Sequence, residues 1–125
     1  MEAGREFDAQ VHRALWPKAN IGYREYSENQ YCEPVWGWFA DGKHIPFYTT
    51  DLAAWDGVRE GWMWEINEST YRVQVILRIT PYHGDYIYAE VAYAECGGDH
   101  HAAWALGMSQ VVLQWAERGR DERAS

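Results

Sequence analysis

Between residues 71 and 79 the side chains alternate without interruption. Tyr71, Val73, Val75, Leu77 and Ile79 point one way, and Arg72, Gln74, Ile76 and Arg78 the other. Successive strand residues face opposite sides of a sheet, so this pattern predicts a strand with one core face and one mixed face. Its neighbours repeat the theme. Trp62, Trp64 and Ile66 alternate with Met63 and Glu65 before the turn formers at 67–70, and residues 85–95 form a third run rich in Tyr and Val after the turn at 81–84. Three consecutive strands with short connections make an antiparallel meander.

The remaining elements follow from period and punctuation. Phe7, Val11 and Leu15 recur at helical spacing, with Glu6, Asp8, His12 and Arg13 on the other side, and Pro17 closes the segment. That is an amphipathic helix over 4–16. Residues 18–30 lack a period and read as a loop. From 31 to 40 the chain turns extended, with Val35 and Phe39 opposite Trp36 and Trp38, and Asp41-Gly42 signals a hairpin whose return strand is 43–48. A helix over about 52–60 ends at Gly61. Cys96-Gly97-Gly98 breaks the meander, Asp99 caps the start of a last helix over about 100–118, and the tail from 117 is polar. The expected fold is α+β in one domain over residues 1–125. An antiparallel sheet, the meander plus the hairpin, lies between helices in α/β/α layers.

On the last helix Ala102, Ala105, Leu106, Ser109, Val112, Leu113 and Ala116 form one small and apolar face. Trp104, Met108, Val111 and Trp115 add a second stripe beside it. The arc is wider than one covered face requires, so the second stripe is expected to be a homo-oligomer interface.

A formal net charge of −8 offers no basic face to a nucleic-acid backbone, and no apolar run approaches a membrane span. The expected location is cytoplasmic. Cys32 and Cys96 form no CxxC pair and read as free thiols. Cys96 with Asp99, His100 and His101 lacks zinc spacing, and the helix start already explains Asp99 and His100, so neither a metal, a cofactor nor a nucleophilic site is expected. Eight Trp and nine Tyr suggest either a heavily stapled core or a recognition surface.

Residues 46–55, PFYTTDLAAW, combine a proline that favours an extended approach, a capping Thr50 or Asp51, a small-residue pair at Ala53 and Ala54, and an aromatic anchor at Trp55. With Pro46, Tyr48, Thr50, Asp51, Ala54, Trp55 and Val58, followed by the meander and an Ala-rich last helix, the chain resembles the phage ABA sandwich domain family. Gly57 departs from that pattern, and the cysteine-bearing N-terminus of many relatives is absent. The resemblance implies a sheet between helices, a phage origin and a host-cell setting; it implies no reaction.

Function is expected to be binding rather than catalysis. Flat rings for a base and cations for phosphates are both present in Tyr23, Arg24, Tyr26, Trp36, Trp38, Tyr48, Arg72, Arg78 and His83. They suit a small nucleotide-derived ligand, such as a host immune signal sequestered by a phage. The alternatives are an inhibitor that presents the aromatic hairpin 31–48 to a host defence enzyme, and a structural phage component. A pocket joining Trp36 or Trp38 to Arg72 or Arg78 favours the ligand; an exposed flat Trp patch favours a protein partner.

Overall fold

The structure, a computed structural model, describes residues 3–58, 62–78 and 86–124, with side chains described as far as residue 118. It is α+β, with two antiparallel three-stranded sheets and two helices. Helix α1 (Arg5–Leu15) leads into the first sheet, β1 (Ile21–Tyr26), β2 (Val35–Ala40) and β3 (Lys43–His44), in that spatial order. A 3-10 turn (Leu52–Trp55) follows. The second sheet is the expected meander, β4 (Met63–Glu68), β5 (Arg72–Arg78) and β6 (Tyr86–Ala92), after which a 3-10 turn (Tyr93–Cys96) hands over to α2 (His100–Ala124).

The meander's register places Trp64, Ile66, Val73, Val75, Leu77, Ile87, Ala89 and Val91 on one face, and that face packs on α2. Gly107 is what lets the helix come so close: a Cβ there would lie 2.5 Å from Val75 Cγ2. The other side of α2 packs on α1, and α1 packs on β2. Hairpin and meander, expected in a single sheet, form two separate sheets, with α1 packed on β2 and α2 on β5 and β6.

The stripe expected at an oligomer interface faces largely into the chain itself. Met108 and Val111 are buried inside the chain, and Trp104 and Trp115 pack partly buried against its core. α1 and the two 3-10 turns pack on α2 beside the sheet.

Three local expectations shift. The segment 18–30 contains β1, whose residues show no buried face because the strand is exposed, so hydrophobic period could not mark it. The return strand after Asp41-Gly42 is only two residues long. The turn itself is as expected, with φ of 50° at Asp41 and 82° at Gly42, the left-handed pair of a tight hairpin. The helix predicted over 52–60 is a 3-10 turn that ends at Trp55, and Gly57 adopts φ of 71°, where a helix-forming residue would be strained. Its last residues and the expected stop at Gly61 lie outside the described residues, as do Ile79 and the turn at 81–84.

Candidate functional site

The segment after β3 is where sequence and packing meet most tightly. Asp8, placed on the polar side of α1 by its period, is 1% exposed because residues 45–50 fold over it. Its carboxylate accepts from the Thr49 backbone N–H and hydroxyl, each at 2.8 Å, and pairs with Arg5 at 2.8 Å. Arg5 also donates to the Ile45 and Pro46 carbonyls and lies over the Phe47 ring. The Tyr48 carbonyl accepts from Trp55 Nε1 at 2.9 Å and from the Ser109 hydroxyl at 3.0 Å. Asp51 caps the turn by accepting from the Ala53 N–H at 3.0 Å. Every notable residue of this stretch is therefore accounted for by structure.

That includes Tyr48, expected as a stacking platform for a ligand. It is buried, with its ring against Trp55 and its hydroxyl 3.0 Å from His12 Nδ1. Burial lowers the His12 pKa from 6.5, partly offset by Asp41, and raises that of Tyr48, in agreement with a neutral pair.

Beside His12 the end of α1 opens into a groove of about 960 Å³, lined by Leu15, Trp16, Pro17, Lys18, Ala19 and Asp41. Sequence reasoning missed it. Its walls come from a helix end, a proline turn and a hairpin tip that share no motif, and only the fold assembles them.

The other expected ligand residues separate into two groups. On the first sheet Tyr23 pairs with Trp38, and its ring lies 5.0 Å from Trp38 and 5.4 Å from Trp36. Trp38 is partly buried at the margin of the core, whereas Trp36 is 59% and Tyr23 55% exposed. Glu25, directly opposite Trp36, shares this face. The reverse face carries Tyr26, which crosses Gly37 and meets the Phe39 and His44 rings. Arg24 stacks over Phe39 at 4.2 Å.

Arg72 and Arg78 lie on the outer face of β5 in the second sheet. Arg72 pairs with Glu90 at 3.2 Å and Arg78 with Glu65 at 2.7 Å. Both guanidinium groups thus face carboxylates of their own sheet, and the cleft at Arg72 is lined by Tyr71, Glu90, Ala92 and Glu95 of the second sheet and its exit. His83 lies outside the described residues.

Around the start of α2, Asp99 accepts from the Ala102 N–H at 3.1 Å, as a cap should. His100 stacks on Tyr93 at 3.8 Å, and its Nδ1 lies 3.3 Å from Glu68, which also accepts the Tyr93 hydroxyl at 2.8 Å. Burial, with Glu95 and Asp99 nearby, raises the Cys96 thiol pKa, the opposite of what a nucleophile needs. Among the described residues no group of three or more His, Cys, Asp or Glu could hold a metal ion, and no helix is long and apolar enough to cross a membrane.

Comparison with known proteins adds nothing to this geometry: neither a protein-family model, nor a curated protein, nor a solved structure matches the chain.

Proposed function

We propose that this is a non-enzymatic binding protein of phage origin whose working surface is the Tyr23 and Trp36 face of the first sheet, and that its partner is a host protein in the cytoplasm. One observation carries the reading: two adjacent large rings are more than half exposed, although the same strand pair buries Phe39 and Ala40. Aromatic side chains with few rotatable bonds are the usual anchors of protein interfaces, and a lone exposed apolar side chain is unremarkable where an adjoining pair is not. The phage origin and host setting rest on the resemblance of residues 46–58 and the Ala-rich last helix. The test is capture of proteins from a host extract by the wild type, by Trp36→Ala and by Arg72→Ala. The reading expects bands that vanish with Trp36→Ala and persist with Arg72→Ala; bands indifferent to Trp36 would refute it.

A second reading, sequestration of a small nucleotide-derived ligand, has one observation in its favour. The groove at the end of α1 has the volume of a ligand site and offers an indole, an imidazole and a lysine. It places the ligand away from most residues named for it, since Tyr48 is core and Arg72 and Arg78 are paired elsewhere. A thermal-shift screen with cyclic nucleotides and ADP-ribose derivatives tests it, because a ligand of the folded state raises the melting temperature. Stabilisation that is lost in Lys18→Ala supports this reading; none at saturating ligand removes it.

A further inference from the structure

We infer that the open edge of β1 receives an extended, basic segment of the partner protein as an additional strand. This rests on the reading of the Tyr23 and Trp36 face as the binding surface, and adds to it the backbone groups and the charge that select the occupant.

The phase of the ladder fixes which backbone groups are free. Asp41 N–H donates to the Asn20 carbonyl at 2.9 Å across the same register that pairs Ile21 with Ala40. In an antiparallel ladder hydrogen-bonded and non-hydrogen-bonded pairs alternate, so Gly22, Arg24 and Tyr26 bond to β2 while Ile21, Tyr23 and Glu25 turn their N–H and C=O groups outward. The Trp38 carbonyl confirms the phase from the other side, since it accepts from the Ile45 N–H and so faces away from β1. The pairing runs unbroken from Ile21 to Tyr26, with no proline and no bulge to discourage another strand. The second sheet treats its edge differently: Gln114 of α2 donates to the Tyr88 carbonyl of β6 at 3.1 Å.

Charge and rings then choose the occupant. Glu25 is exposed on the Tyr23 and Trp36 face, and Glu28 and Glu33 are exposed in the connection from β1 to β2. The nearby cation, Arg24, is on the reverse face over Phe39. A Lys or Arg on an added strand, opposite Glu25, gains the carboxylate and, diagonally, the face of the Tyr23 ring that packs against Trp36. A second copy of this chain is the poorer fit. Antiparallel β1 strands meeting at Tyr23 set Glu25 against Ile21, and each chain carries a formal net charge of −8.

The experiment is amide hydrogen exchange by NMR on the full chain, with a short peptide of alternating Lys and Val as the probe and its Glu–Val counterpart as control. The inference expects exchange at Ile21, Tyr23 and Glu25 to slow by about tenfold or more on adding the basic peptide, little change at Gly22, Arg24 and Tyr26, and weaker binding to Glu25→Gln. A shift of the Trp36 indole resonance without amide protection would overturn the edge while leaving the binding face intact. Amide protection that survives Trp36→Ala undiminished would keep the edge and refute the face. Equal binding of the acidic peptide, binding of neither, or protection that grows with protein concentration in the absence of peptide would each overturn the inference, the last by assigning the edge to a second copy.

Discussion

At the scale of single residues, Asp8 is the buried charged side chain among the described residues. Asp8 holds Thr49 by two hydrogen bonds and Arg5 by an ion pair, and so ties α1 to the segment that follows β3. Removing the carboxylate leaves the Thr49 N–H and hydroxyl without their buried acceptor. Asp8→Ala should therefore destabilise the protein by about 3 kcal/mol in chemical denaturation. His12 has the opposite relation to charge. Its pKa is lower in the folded state than its ordinary 6.5, so the unfolded chain binds the proton more readily. Stability from this group is complete above that value and is lost as pH falls through it toward the folded pKa. The midpoint of urea unfolding should drop from pH 7.5 to pH 5.5, and His12→Gln should flatten that dependence; an unchanged slope in the variant would assign it to other groups. Neither residue's role was legible in the sequence. The period of α1 sends Asp8 and His12 to its polar side, and only the return of residues 45–50 over that side covers them.

Among the elements, legibility followed burial. The meander strands, α1 and the start of α2 each have a covered face or a cap that leaves a periodic or chemical mark, and all were readable. The turn at Asp41-Gly42 was readable for the same reason, since its left-handed pair restricts residue choice. β1 was not, because an exposed strand is free of the alternation that burial imposes. The proposed working surface was half legible: Tyr23, Trp36 and Trp38 do meet, but Arg72 and Arg78 belong to the other sheet and pair with its carboxylates. Packing makes two contrasting predictions here. Gly107→Ala forces a methyl into Val75 across the contact of α2 with β5 and should cost roughly 1–3 kcal/mol. Trp36→Ala should change stability by no more than about 1 kcal/mol, as expected for an exposed side chain. Thermal unfolding of both variants checks the pair, and a large loss in Trp36→Ala would mean that its ring serves the fold instead of a partner.

Over the whole molecule the aromatic surplus divides between two uses. Rings run in edge contact from Tyr48 through Trp55, Trp64 and Trp62 to Trp115, and bind the 3-10 turn, β4 and α2 into one core. A separate set on the first sheet stays at the surface, while the outer face of the second sheet carries Tyr86 and Tyr88 among its ion pairs. Oxidative footprinting with and without host extract compares these surfaces side by side, without choosing a partner in advance. Trp36 and Tyr23 should lose reactivity when extract is added while Tyr86 and Tyr88 keep theirs. Protection of Tyr86 and Tyr88 with Trp36 left reactive would contradict the Tyr23 and Trp36 face as the binding surface.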